Sequence, residues 1–276
     1  MLIKISIIKG VQKLKAVIFY FTGTGNNLRV AKGLQKELGK VDLFPIRYLK
    51  TKKEVEEVYT HVIFIVPSYY SHIPNFVREC LKKVTFTKEQ RVVSIVDCGG
   101  NRGRAIEDLR ECIKACGKEV AGEYMVMHPG NYILSYNAFP MFYQKVVNRQ
   151  AEKKINQIAQ AIKTNRLTTL KRTGIFYNEK FEVKLQEKIA VFHEVGKQYE
   201  VSNECIGCGI CQKICPTCNI HIENGKPVFE NGCQQCMACI QWCPNKAIDY
   251  KHKAEKRTRY HHQAITLKEL IEANRI

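Results

Sequence analysis

Eight cysteines of this 276-residue chain fall into two identical frames. Cys205, Cys208, Cys211 and Cys215 recur as Cys233, Cys236, Cys239 and Cys243, each 28 residues further on, and Pro216 and Pro244 repeat with them. The frame C-x-x-C-x-x-C-x-x-x-C-P, used twice, is the spacing of thiolates around two [4Fe–4S] clusters. Three thiolates two residues apart curl around one cube. The fourth, before a proline that turns the chain away, reaches the other cube. Cys205, Cys208, Cys211 and Cys243 are therefore expected to hold one cluster, and Cys233, Cys236, Cys239 and Cys215 the other. Gly207 and Gly209 let backbone amides approach the sulfurs.

Two rival chemistries use similar spacings. Paired C-x-x-C also suits structural zinc, but zinc would leave a third close cysteine unused in each frame. Cys211, Cys215 and Cys218 spell C-x-x-x-C-x-x-C, the spacing of radical S-adenosylmethionine enzymes. Using it would strip one sulfur from each cluster, and no barrel-sized domain surrounds it. Cys218 is then left over, and is expected to be a packed or solvent-facing thiol beside the second cluster. The thirteen cysteines come without a secretion signal, which argues for metal ligation rather than disulfides. Cys80, Cys98, Cys112 and Cys116 lie outside the frames and read as small buried hydrophobes.

A second motif lies near the start. "YFTGTGNNL" (20–28) joins an apolar run to a helical pattern. Glycines permit close backbone approach there, and amides at the helix start point at an anion. Thr22, Thr24, Asn26 and Asn27 add side-chain donors. The loop has no lysine and no G-x-x-x-x-G-K-[ST], so it is not that of a nucleotide triphosphatase. Gly23 and Gly25 lack the third glycine of a dinucleotide fingerprint. A terminal phosphomonoester suits it best.

The elements that position these motifs follow from periodicity. "AVIFYF" (16–21), "HVIFIVPSY" (61–69) and "RVVSIVDCGG" (91–100) are uniformly apolar strands, with a short one in "KVDLFPI" and a later one at 123–132. Helical patterns alternate with them, the longest being "MFYQKVVNRQAEKKINQIAQAIK". Such alternation implies an α/β doubly wound parallel sheet, covered on both faces. Ligands then bind beyond the carboxyl ends of the strands, where the loops at 22–27, 67–74, 97–103 and 127–132 gather. In the cysteine-rich part "IHIENGKPVF" is a hairpin signal. The expected organisation is an α/β domain over 1–165, a polar connector over 166–200, a small α+β two-cluster unit over 201–250 and a basic tail over 251–276.

The formal charge is +18. Residues 1–163 hold 27 Lys+Arg against 14 Asp+Glu, whereas residues 201–250 hold three against four. The basicity is thus outside the cysteine-rich unit. No Arg-rich arm interleaved with aromatics accompanies it, so nucleic acid is not the expected partner. Acidic protein partners fit better. No apolar run approaches a membrane span, and the first residues read as a mature start, so a cytoplasmic protein is expected.

"TGTGNN" after the first strand resembles the FMN phosphate loop of flavodoxins. By that resemblance Thr22, Gly23, Thr24, Gly25, Asn26 and Asn27 bind the FMN phosphate. The flavin ring lies between "PSYYSHIP" (67–74), which brings Ser68, Tyr69 and Tyr70, and "DCGGNRG" (97–103), which brings Cys98, Gly99, Gly100 and Asn101. Tyr69 or Tyr70 would stack on the ring, and backbone groups near Cys98 would bond its pyrimidine edge. With "MHPGNY", the doubled cysteine frame and "RTRYHH", roughly residues 14–262 resemble the flavodoxin–ferredoxin fusion proteins, called ferrodoxins or flavoferredoxins, of anaerobic bacteria. The resemblance implies an N-terminal flavodoxin-like FMN domain, a C-terminal two-[4Fe–4S] ferredoxin domain, and low-potential electron transfer with protein redox partners. An FMN-dependent oxidoreductase that reduces a small molecule or oxidises NAD(P)H, with the clusters as an internal wire, is the alternative. A homodimer is compatible with either.

Overall fold

A computed structural model describes residues 14–171, 196 and 198–275. The first thirteen residues, and most of the expected connector, lie outside the described residues. The N-terminal unit runs β1 (Ala16–Tyr20), α1 (Asn26–Leu38), β2 (Val41–Pro45), a 3₁₀ turn (Ile46–Lys50), β3 (His61–Pro67), α2 (Asn75–Leu81), β4 (Arg91–Cys98), α3 (Ala105–Ala115), β5 (Val120–Met127) and α4 (Met141–Lys163). All five strands are parallel, in the order β2-β1-β3-β4-β5. That is the flavodoxin-like order, with its switch point between β1 and β3.

Side chains alternate across the sheet, so each strand feeds two cores. Ile18, Ile63 and Val93 face α1 and α4, where Leu34, Ile155 and Ile158 cover them. Phe19, Phe64 and Val96 face α2 and α3, against Val77, Leu81, Ile106 and Leu109. Burial on both faces is why the three central runs are continuously apolar. α1 and α4 meet closely at Gly33, where an added Cβ would lie 2.8 Å from Ile155 Cγ2. β5 begins at Val120, three residues before the expected start. It is the last strand of the sheet and its first residues are half-buried, so "VAG" lacks the apolar signature of the central strands.

The cysteine-rich unit is small and α+β. β6 (Tyr199–Val201) pairs antiparallel with β9 (Ile248–Tyr250), and β7 (Ile220–Glu223) with β8 (Lys226–Phe229). The β7–β8 turn puts Asn224 and Gly225 at φ 48° and 75°, the left-handed pair that an Asn-Gly hairpin uses. Two short helices, α5 (Ile210–Ile214) and α6 (Ala238–Gln241), begin one residue before the third cysteine position of each frame. Tyr199 stacks on Phe229 at 5.0 Å, and both pack with Ile220, Ile240 and Ile248.

The two units share a core. Ile214, Ala238 and Trp242 join the cluster built around Leu28 and Ala31 of α1. The last helix, α7 (Leu267–Ala273), starts with a capping box of Thr266 and Glu269. It brings Leu270 into that same core, alongside Ile265 just before it, and the Ala273 carbonyl accepts from the Tyr20 hydroxyl at 2.7 Å. Among the described residues no helix is long and apolar enough to cross a membrane.

At the sheet edge, Glu123 is fully buried and takes a two-pronged bond from Arg110, with Nε–Oε1 and Nη2–Oε2 both 2.6 Å. Its second oxygen also accepts from the Leu170 amide at 2.9 Å. Glu123→Gln removes the charge and leaves Arg110 facing a neutral amide. The expected cost is about 3 kcal/mol, the low end for a broken buried pair because Arg110 still reaches water. It should appear as a lowered urea midpoint. An unchanged midpoint would show that this edge does not hold the sheet.

Candidate functional site

A cleft of about 290 Å³ opens beyond the carboxyl ends of β1, β3 and β4. Thr22, Gly23, Thr24, Asn26 and Asn27 form its floor. Gly25 lies behind that floor. Its φ of 97° makes the left-handed turn that starts α1, and its carbonyl accepts the Arg29 amide at 2.9 Å. Asn27 donates from Nδ2 to the Phe21 carbonyl at 2.6 Å, tying helix to strand. The Thr22 hydroxyl is buried and has no hydrogen-bond partner among the described residues. A buried orphan hydroxyl beside a helix N-terminus is a cradle for an anion.

Ser68, Tyr69 and Tyr70 form one wall, and Cys98 and Gly99 the other. Gly100 and Asn101 are exposed and do not line the cleft; Asn101 instead accepts the Gly103 amide at 2.9 Å. The first wall is a tight turn. Tyr69 and His72 exchange backbone bonds of 2.8 and 3.0 Å, and Tyr70 and Ser71 have φ of 48° and 70°. Two features hold this strained turn. Gly103 presses on it so closely that a Cβ there would lie 2.1 Å from Ser71 Cβ. Beneath it, buried Asp108 takes His72 Nδ1 at 2.8 Å and Arg78 at 2.7 Å. Burial opposes its ionisation, but these two partners hold the Asp108 carboxyl below its usual range. His72 thus anchors the loop from below. Tyr70 meets Tyr132 edge-on at 5.5 Å across the cleft mouth.

The cysteines gather into two rings. Cys205, Cys208, Cys211 and Cys243 surround one small cavity, and Cys215, Cys233, Cys236 and Cys239 another. Among the described residues no three His, Cys, Asp or Glu side chains converge on a point as a single-ion site would. The sequence repeat persists in the backbone. Gly207 and Gln235, Gly209 and Met237, and Cys218 and Lys246 are pairs of left-handed residues 28 apart. The Asn219 and Ala247 amides donate to Cys215 and Cys243 sulfurs, both at 3.3 Å. Cys218 therefore occupies a turn position equivalent to Lys246, outside both rings. It is exposed, and Arg47 donates to its sulfur at 2.7 Å. Burial pushes the Cys211 and Cys233 thiols up to about 11, and burial with neighbouring sulfurs raises Cys236 and Cys239 further. Ionised, these sulfurs need a cation inside the ring.

Ring and cleft touch. A Cβ on Gly23 would lie 2.6 Å from the Cys236 carbonyl oxygen and 3.1 Å from its Cβ. The neighbouring Gln235 lines the cleft itself and accepts from the Tyr132 hydroxyl at 2.8 Å. The Gln241 side-chain amide donates to the Asn131 carbonyl at 2.8 Å, and Asn131 Nδ2 donates to Thr24 Oγ1 at 2.5 Å. The C-terminal segment closes the back: Tyr260 donates its hydroxyl to Asn26 Oδ1 at 2.8 Å, and the His262 amide donates to the Thr24 carbonyl at 2.9 Å. Sequence reasoning singled out none of Asp97, Asn131, Gln235 or Tyr260 as site residues. "MHPGNY" and "RTRYHH" were the traces of two of them; Gln235 carries no local signal.

No protein-family model matches the chain. A flavodoxin of Haemophilus influenzae is 32% identical over 119 residues, 39% of this chain and 66% of that one. One component of the ion-translocating oxidoreductase complex of Methanosarcina acetivorans is 37% identical over 71 residues, 24% of this chain and 27% of that one. The chain thus spans less than two thirds of either relative. Among solved structures, a flavodoxin from the domain Archaea overlaps 54% of this chain and 99% of its own, at 15% identity and a TM-score of 0.36. The fold assignment rests on the strand order, not on that superposition.

Behind the floor, His262 is buried and accepts the Ala264 amide on Nδ1 at 3.2 Å. His128 approaches it edge-on at 5.2 Å while bonding Asp97 through Nδ1 at 3.0 Å. Burial first, then His128, Arg29 and His261, push His262 down to about 3. Below the ordinary imidazole value near 6.5 the unfolded chain takes up a proton that the folded chain refuses, so stability falls as pH falls. The slope is about 1.4 kcal/mol per pH unit. The melting temperature should drop between pH 7 and pH 5, and His262→Asn should flatten that drop. Equal slopes in both proteins would remove His262 from the account.

Proposed function

We propose that this chain is an electron-transfer flavo-iron–sulfur protein, with FMN in the cleft, a [4Fe–4S] cluster in each cysteine ring, and low-potential protein partners in anaerobic metabolism. The observation that carries this reading is the contact of Gly23 with Cys236, which brings one ring against the cleft floor within one chain. FMN exchanges one or two electrons and each cluster one, so their union joins the two kinds of redox chemistry.

The residues fit both groups. Thr22 offers an unpaired buried hydroxyl, and α1 its amides, to a phosphate. Tyr69 and Tyr70 offer aromatic faces at the cleft wall. Each ring has four sulfurs, backbone amides bonded to sulfur, and thiols whose ionisation requires a cationic centre. The rings differ in access. Cys208 is exposed and its neighbour Ile206 is 67% exposed, so the first ring meets partners, whereas the second faces the cleft. A net charge of +18 favours acidic partners.

Anaerobically purified protein should contain about eight irons per chain and release FMN on denaturation. Thr24→Val combined with Gly25→Val should lose flavin and keep iron. Cys243→Ala should lose iron, whereas Cys218→Ala should keep it all. Stoichiometric zinc, or iron loss in Cys218→Ala, would refute the ligand assignment. In anaerobic stopped flow the protein should exchange electrons with a reduced ferredoxin. Bleaching by NAD(P)H at catalytic rates would favour a substrate-specific oxidoreductase instead.

A further inference from the structure

Arg259 carries a charge with no hydrogen bond among the described residues. Its Nε, Nη1 and Nη2 are all buried and without a hydrogen-bond partner among the described residues. Losing water from a guanidinium without compensation is costly, so the fold must hold it in place for a reason. The surrounding segment is pinned. Arg257 donates to the Ile133 carbonyl at 2.5 Å, the Tyr260 amide donates to Gln241 Oε1 at 2.7 Å, and His261 stacks on Trp242 at 4.1 Å.

Gln241 and Trp242 lie between Cys239 and Cys243. Those two sulfurs belong to different rings, Cys239 to the second and Cys243 to the first. The Arg259 segment is thus packed on one of the two turns that serve both rings, the other running from Cys211 to Cys215, and Asp249, Cys243 and Cys239 are the groups within its electrostatic reach. Asp249 is already engaged: Oδ1 accepts the Tyr250 amide at 2.5 Å and the Ala254 amide at 2.8 Å, and Oδ2 accepts Ala254 at 3.1 Å.

We propose that Arg259 is the built-in counter-charge of the two iron–sulfur centres and raises their reduction potential. This rests on the function proposed above. A cluster bound by four thiolates is anionic and gains one further negative charge with each electron. A fixed cation in a dry environment favours the more negative state. Net charge and hydrogen bonds to sulfur are among the properties that set cluster potentials.

The test is an EPR-monitored redox titration of the full-length, cluster-loaded protein as wild type, Arg259→Gln and Arg259→Lys, with iron measured on each. Arg259→Gln should keep its iron and lower the potential of at least one cluster by about 59 mV or more, a tenfold shift for one electron. Arg259→Lys should recover most of that shift. Unchanged potentials in Arg259→Gln at full iron content would overturn the proposal. So would an equal fall in both variants, because shape rather than charge would then be responsible. If Arg259→Gln loses iron, Arg259→Lys decides: full iron at wild-type potentials supports the proposal, and loss of iron overturns it. Absence of iron from the wild type would instead sink the function on which the proposal rests.

Discussion

Gly23 has no side chain, and the Cys236 carbonyl occupies the place where one would be. The rest of the site depends on that missing atom. A phosphate-type loop already needs small residues so that its amides can face an anion. Here the other side of the same loop is used as a docking surface for a metal-type loop. Any larger residue would push the two backbones apart and separate the cleft from the ring. Around this contact the chain builds polar ties in both directions: Gln235 reaches into the cleft, Asn131 and Gln241 link Thr24 to α6, and Tyr260 holds Asn26 from behind. The cleft is a composite of three parts of the chain, not a property of the parallel sheet alone.

The same packing creates a gradient of exposure. The first ring opens toward solvent at Cys208 and Ile206, while the second is lined by Tyr199 and Phe229 and meets the sheet unit at Gly23. Charge follows a different division. The cysteine-rich unit is nearly neutral, with three basic and four acidic residues over 201–250. Arg259 belongs to the C-terminal segment outside that unit, whose Tyr260 and His261 pack on Gln241 and Trp242 between Cys239 and Cys243. That segment therefore has two structural tasks, closing the phosphate-type floor and packing on the turn between Cys239 and Cys243.

Much of this was legible in the sequence because it is local or periodic. Three apolar runs became central strands, since burial on both faces leaves no polar alternation. The repeat of 28 residues is obeyed down to single backbone angles, which explains Cys218 as the counterpart of Lys246 rather than as a spare ligand. What was not legible is non-local. Gln235 is one glutamine among several until Tyr132 folds across to it, 103 residues away in sequence. The C-terminal stretch reads only as a basic tail, because hydrogen bonds such as Tyr260 to Asn26 have no periodic signature. The start of β5 was displaced for a related reason: an edge strand half-open to solvent lacks the uniform apolar signal.

Adjacency within one chain is the central claim, and kinetics tests it most directly. Protein loaded with flavin and iron, partly reduced by a flash-generated donor, should equilibrate electrons between clusters and flavin in a first-order step. With the groups adjacent in one chain, the rate does not change when the protein is diluted tenfold. A rate that falls in proportion to protein concentration would mean that electrons cross between molecules, and would contradict that adjacency.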